Sequence, residues 1–159
     1  MPKQDTFDGV KAGIMMYDAL LLGVAEQFGM ERAVALQSKV MEKMGATQGR
    51  AIKKQVGNNK FNAETAWPLV NTIDESLGVS AKVTEESPNR VVFMNGRYPI
   101  YDVAYELGID NKTIETMSRS GSVRFLDEMV KQLDPNLTVR LINHRSKPDG
   151  FCEHEIVMG

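Results

Sequence analysis

The segment Leu137–Met158, LTVRLINHRSKPDGFCEHEIVM, constrains the fold of this chain more than any other. Leu137–Arg145 and Phe151–Met158 alternate with a period of two, and Ser146-Lys-Pro-Asp-Gly150 between them carries turn chemistry. The pattern predicts a β-hairpin. Residues i and i+2 of a strand share a face, so Cys152, His154, Ile156 and Met158 point one way and Phe151, Glu153, Glu155 and Val157 the other. On the first strand Arg140, Ile142 and His144 share a face. The only cysteine and both histidines therefore fall on two paired strands. Glu153 and Glu155 are expected to be solvated or paired with Arg140 or Lys147.

Composition excludes several function classes. The 159 residues make one domain, long enough to bury a core without disulfides. A formal net charge of −2 without a Lys/Arg tract lacks the electrostatic footprint of a nucleic-acid binder. One cysteine rules out an internal disulfide framework and fits a reducing, cytoplasmic setting. MPKQDTFDGV has no apolar signal region, and the uncharged stretch Ala19–Ala25 is far short of the roughly 20 residues that span a bilayer. Neither membrane insertion nor nucleic-acid binding is expected. Met30, Met41, Met44 and Met129 sit at helical core spacing, suited to adaptable core packing or to a malleable apolar cavity.

Taken in order, Asp8–Phe28 reads as an amphipathic helix on Val10, Ile14, Tyr17, Leu21, Val24 and Phe28, capped by Thr6 or Asp8 and ended by Gly29. Gly9, Gly13 and Gly23 each cost this helix about 1 kcal/mol relative to alanine, either tolerated or explained by close approach of another helix, such as one from a second subunit. Glu31–Gln55 is a second helix, with Val34, Val40, Met41, Met44 and Ile52 on its apolar side. Its Gly45 and Gly49 share one face and favour close helix packing. Gly57–Lys60 is a loop. Thr65 is placed to cap a third helix, with Pro68 at its third position and Trp67, Leu69, Val70, Ile73 and Leu77 within it, ending at Gly78.

The period then changes. Val79–Glu85 and Arg90–Met94 read as strands about a Ser87-Pro88-Asn89 turn. Pro99 opens a short helix over Ile100–Leu107, and Asp110 or Asn111 caps a longer one reaching Leu133, which Gly121 bends or breaks. Asp134-Pro135-Asn136 precedes the final hairpin. The order ααα-ββ-αα-ββ predicts an α+β fold, with N-terminal helices and a four-stranded antiparallel sheet of two hairpins separated by two helices. Residues 1–60 are expected to form a helical pair suited to homodimer formation, and residues 61–159 the α+β core in which a ligand would be bound.

Several motifs resemble a superfamily that joins 4-vinyl-reductase-like small-molecule-binding domains, L-2-amino-thiazoline-4-carboxylic acid hydrolases and subunits of the Golgi transport-particle complex. Arg145-Ser-Lys-Pro-Asp-Gly-Phe-Cys-Glu-His-Glu-Ile156 is similar to the family's closing turn and strand. Tyr98-Pro-Ile-Tyr-Asp-Val-Ala-Tyr-Glu-Leu-Gly108 is similar to the hydrolase branch, where Cys-Pro opens the helix, and Leu133-Asp-Pro-Asn-Leu137 to its helix-to-strand join. The cysteine before that proline is Tyr98 here, and the turn reads Asp149-Gly150 where the family has Gly-Asp.

Three readings of the hairpin stay open. In the first, Cys152 attacks a C–N or C=N carbon of a small organic substrate, with His154 or His144 as general base. The second is a metal site on His144, Cys152 and His154. Ligand sensors of the superfamily hold zinc at Glu-x2-Cys-x7-Cys, and the matching positions are Leu141, His144 and Cys152, of which Leu141 cannot ligate. In the third, Cys152 is a buried core residue of a non-catalytic ligand sensor or carrier, or of an assembly scaffold. Tyr98, Tyr101, Asp102, Tyr105 and Trp67 are the candidate ligand-binding residues in each case.

Overall fold

Two long antiparallel helices lead the chain because one residue, Gly29, reverses it. In the computed structural model, which describes residues 3–57 and 59–159, α1 spans Lys3–Phe28 and α2 spans Met30–Val56, with Gly29 between them at φ +89°. Only glycine takes that conformation without strain. Helix α1 starts before Asp8, so Thr6 and Asp8 lie inside it rather than capping it. What secures its start is Phe7, buried beneath the Arg97 guanidinium, 3.9 Å from the ring centroid. Met1, Pro2 and Asn58, which belong to the N-terminal and Gly57–Lys60 readings, lie outside the described residues.

The paired glycines of α2 have an internal partner. A Cβ on Gly45 would stand 2.2 Å from the Phe125 carbonyl oxygen, and one on Gly49 2.4 Å from that of Met129. The two helices touch backbone to backbone, and both pairs are four residues apart, so they run parallel at the contact. The other glycines behave differently: Gly9, Gly13 and Gly23 meet nothing within 4 Å. The apolar stripe is also less buried than its spacing predicts. Phe28, Val40, Met44 and Met30 are exposed, as are Met16, Leu20 and Leu36, whereas Leu21 and Met129 are buried.

Helix α3 covers Ala63–Ser76. Its cap is Asn62, not Thr65: the Asn62 carboxamide accepts from the Thr65 N–H at 2.8 Å, and the Thr65 hydroxyl accepts from the Asn62 N–H at 2.9 Å. Pro68 consequently lies in the helix body, where the carbonyl it leaves without a donor belongs to the exposed Glu64. Strands β1 (Ala81–Ser87) and β2 (Arg90–Asn95) turn through Pro88-Asn89, and β1 begins two residues later than its pattern predicts. Helix α4 covers Pro99–Glu106. Helices α5 (Asn111–Ser118) and α6 (Arg124–Leu133) form one helical path, and Gly121 interrupts it not with a break but with a π turn over Arg119–Val123.

Strands β3 (Leu137–Asn143) and β4 (Cys152–Met158) complete an antiparallel sheet of order β1-β2-β4-β3, the two hairpins meeting along β2 and β4. The α+β arrangement is the expected one. Cross-strand register stacks the inner face in rows: Val91, Ile156 and Val139; then Phe93, His154 and Leu141; then Asn95 and Cys152. The first row belongs to the main core, under Ala66 and Val70 of α3 and Met129, Val130 and Leu133 of α6. Towards the last row the face turns polar. On the outer face Glu155 pairs with Arg90 at 2.8 Å and Arg140 at 4.0 Å.

Strand β3 is shorter than its alternation. A bulge between Leu141 and Asn143 sets Leu141 opposite His154 and Asn143 opposite Glu153. His144 thereby leaves the face of Arg140 and Ile142 and turns inward, its ring meeting Tyr101 edge-on at 5.5 Å.

Candidate functional site

Where the inner face turns polar, the helices above it leave a small cavity lined by Asp74, Asn95, Tyr98, Tyr101, Ser122 and His154, with Phe93 and Leu126 closing the apolar side. It has room for about one water molecule. The polar groups converge from several elements: Asp74 from α3, Asn95 from β2, Tyr98 and Tyr101 from the start of α4, Ser122 from the π turn and His154 from β4. Asp74 is the last inward residue of α3 and is fully buried. It accepts from Asn95 Nδ2 at 2.9 Å and from the Tyr98 hydroxyl at 3.3 Å. Those two donors orient the pocket, because a carboxylate accepts only, and Asn95 must turn its Nδ2 towards Asp74 and its Oδ1 away. The Tyr101 hydroxyl is bonded to Ser118 Oγ at 2.8 Å.

Two atoms of this lining have no protein partner: Asn95 Oδ1 and His154 Nδ1. An unpaired buried polar atom costs about 1–3 kcal/mol. Burial holds the His154 imidazole neutral, pushing its pKa down to about 4, with Arg145, Arg119 and His144 acting in the same direction. Its ring stacks on Phe93 at 5.3 Å, 16° from parallel. Burial raises Asp74 to about 6 against its two hydrogen bonds, and the phenols of Tyr98 and Tyr101 are raised chiefly by burial. At neutral pH the cavity thus offers acceptors and one buried negative charge.

Of the expected ligand residues, Tyr98 and Tyr101 line this cavity. Trp67 instead packs on Phe93 in the main core, centroids 4.6 Å apart. Tyr105 donates to Asn111 Oδ1 at 2.6 Å, and Asp102 faces Arg97 at 3.5 Å. Of the hairpin residues only His154 lines it. Cys152 is fully buried one row away, where Arg145 surrounds it: the backbone N–H of Arg145 lies 3.5 Å and its Nε 3.4 Å from Sγ. The Arg145 guanidinium, itself 2% exposed, lies 4.0 Å over the Tyr101 ring and donates to the carbonyls of Asn95, Gly96 and Pro148.

The residues at the hairpin do not fit zinc. Leu141 has no donor atom, a guanidinium stands against Cys152 Sγ where a metal would sit, and His144 faces Tyr101. Among the described residues no three His, Cys, Asp or Glu side chains group closely enough to hold a metal ion.

Asp74, Asn95 and Ser122 escaped the sequence reading. Asp74 had a signal: Ala66, Val70 and Asp74 recur every four residues, so a carboxylate interrupts the apolar stripe of α3. Ser118 and Ser122, four residues apart on one face of an amphipathic helix, gave a fainter one.

The buried groups make stability depend on pH in two opposed ways. Asp18 on α1 is 2% exposed, and burial raises it from 3.8 to about 6, as it does Asp74. The folded chain holds these protons at a higher pH than the unfolded chain, so their contribution rises as pH falls from about 7 to about 4. His154 opposes this, since the unfolded chain takes its proton near 6.5 and the folded chain only near 4. Asp18→Asn separates the two effects. Urea denaturation is expected to show a gain of about 2 kcal/mol at pH 8 that vanishes by about pH 4. An equal gain at both pH values would mean that Asp18 does not ionise in this window.

No family model matches this sequence, and no curated protein matches it. Solved structures do. The phenol-responsive sensory domain of the transcription activator PoxR, solved with phenol, superposes with a TM-score of 0.65 at 14% identity, over 91% of this chain and 74% of that one. Trafficking protein particle complex subunit 3 from Naegleria fowleri, covalently bound to palmitic acid, superposes with a TM-score of 0.59 at 14% identity, over 95% of each chain. The chain shares their fold. The transport-particle part of the sequence resemblance agrees with this at the level of architecture. Among the described residues no helix is long and apolar enough to cross a membrane.

Proposed function

We propose that this chain is a small-molecule-binding domain of the 4-vinyl-reductase-like superfamily, a non-catalytic sensor or carrier whose ligand sits in the cavity between α3, α4, the π turn and the sheet. The observation that carries the reading is the pair of unpaired polar atoms, Asn95 Oδ1 and His154 Nδ1, on side chains lining that cavity. A guest that donates a hydrogen bond to Asn95 Oδ1 removes one penalty directly, and the neutral imidazole accepts or donates according to its tautomer. The guest is neutral or cationic, because an anion would be repelled by the buried Asp74 carboxylate. Its entry requires side chains of the lining to move apart, since the closed cavity is only water-sized. Binding is favoured over hydrolysis at Cys152 because that sulfur is fully covered and its neighbours are Arg145 donors and the Tyr101 hydroxyl rather than a histidine base.

A homodimer through α1 and α2 is part of the proposal. The groove lined by Tyr17, Leu20, Leu21, Val24, Leu36 and Val40 is apolar, and the exposed residues of α1 from Ala12 to Gly23 carry no charge. The PoxR sensory domain was solved with phenol, which makes phenol the first probe. Native mass spectrometry of the purified full chain is expected to show a dimer, carrying a small organic mass that denaturation releases. Phenol and aniline should raise Tm, benzoate should not, and His154→Phe should abolish the shift. The absence of both a mass excess and a Tm shift with every probe would overturn the ligand reading; a monomeric mass would overturn the dimer.

A further inference from the structure

The π turn Arg119–Val123 touches three parts of the molecule at once. Below it, Ser118, immediately before the turn, holds the Tyr101 hydroxyl at 2.8 Å, and Ser122 lines the cavity. On its other side, Ser120 donates to Gln37 Oε1 of α2 at 2.6 Å, and Gly121 lies so close that a Cβ there would stand 2.8 Å from Gln37 Nε2. Arg119 donates to the Leu141 carbonyl at 3.2 Å, beside the β3 bulge. Gln37 in turn is buried and forms part of the lining of the α1–α2 groove. A continuous run of protein groups therefore joins the cavity to that groove: Tyr101, Ser118, the π turn, Ser120, Gln37.

A π turn suits such a position because it has discrete alternatives. It is an α-helix carrying one extra residue, and moving that residue one place along the chain rotates the side chains it passes by about 100°. Serines pointing alternately at the cavity and at α2 cannot both keep their partners through such a step. A step of that kind at one contact would therefore be felt at the other.

We propose that the π turn transmits the state of the cavity to the packing of α2 beneath the α1–α2 groove. Its biological input rests on the cavity being the ligand site, but the linkage is made of protein groups alone and is measurable without any ligand. Hydrogen exchange by mass spectrometry on the full chain reads it. Tyr101→Phe removes only the cavity-side hydroxyl; it is expected to speed exchange at least tenfold in residues 117–123 and also in residues 33–41 of α2, with β2 and β4 unchanged. Ser118→Ala cuts the same bond from the other side and should reproduce the pattern. In a Ser120→Ala background, Tyr101→Phe should still loosen residues 117–123 but no longer alter residues 33–41. Three results would overturn transmission: no change in residues 33–41, the same added change there with or without the Ser120 hydroxyl, or an acceleration spread evenly over the strands, which signals global destabilisation. Linked exchange together with a native spectrum free of bound mass would count against the ligand reading alone.

Discussion

Gly45→Ala is expected to lower the stability of this protein by at least about 3 kcal/mol, although alanine is the better helix former by about 1 kcal/mol. The added methyl would sit 2.2 Å from the Phe125 carbonyl oxygen and 3.1 Å from its Cα, and these obstacles are backbone, which no rotamer change can move aside. Relief requires α6 to shift as a body. That helix carries Leu126, Met129, Val130 and Leu133 into the main core against Val139 and Ile156, so a shift large enough for a methyl opens the interface with the sheet. Gly49→Ala meets the Met129 carbonyl oxygen at 2.4 Å and should behave alike, the double variant failing to fold. At the few degrees per kcal/mol typical of a chain this size, each single variant should lose about 10 °C in Tm. Gly9→Ala is the internal control: exposed, with nothing within 4 Å and ahead of the uncharged exposed face from Ala12 to Gly23, it should hold Tm or raise it by a few degrees. Calorimetry that placed Gly45→Ala level with Gly9→Ala would disprove the backbone contact between α2 and α6.

Arg145→Met should cost about 4 kcal/mol, for a reason unrelated to volume. Methionine fills much of the same space, but the carbonyls of Asn95, Gly96 and Pro148 lose their donors, and Cys152 Sγ loses one of two. The Asn95 carbonyl is buried and costs about 1–3 kcal/mol when abandoned, whereas those of Gly96 and Pro148 are only partly buried and cost less. Among the described residues no carboxylate lies within ion-pair distance of Arg145, so its role is that of a forked donor and not half of a salt bridge. Arg145→Lys is expected to rescue little, because an ammonium has neither the fork that reaches three carbonyls nor the flat face that stacks on Tyr101. Urea denaturation gives the magnitude, and limited proteolysis gives the place: cleavage in residues 146–151 should appear in the variant before any cut in α6. A loss below about 1 kcal/mol with unchanged proteolysis would assign Arg145 a passive packing role.

Much of the architecture was legible in local pattern. Period-two alternation located all four strands, and the inward face of β4 holds Cys152, His154 and Ile156 as alternation requires. Gly29, Gly57, Gly78 and Gly108, all at positive φ, mark the ends of helices where the chain must turn. The close glycine face of α2 was also readable, because two glycines four residues apart have few other uses in a helix. Less was legible at the helix starts. Asn62 took the capping role expected of Thr65 because the two form one reciprocal box, and either side chain satisfies the usual preference.

The site was another matter. Of the candidate residues Tyr98 and Tyr101 line the cavity, as does His154, which was read as a base or metal ligand; Asp74, Asn95 and Ser122 line it without having been candidates, and Asp102, Tyr105 and Trp67 lie elsewhere. Sequence alone determined which residues share a face of one strand or one helix, since those relations follow from covalent geometry and a fixed repeat. Tertiary structure alone decided which faces meet. The β2–β4 pairing set Asn95 beside Cys152, the β3 bulge turned His144 inward, and the π turn set Ser118 against Tyr101 and Ser122 on the cavity. A bulge or a π turn adds one residue to a repeat. Every face beyond it changes, and local propensity barely registers the difference, so the packing of the whole chain makes the choice.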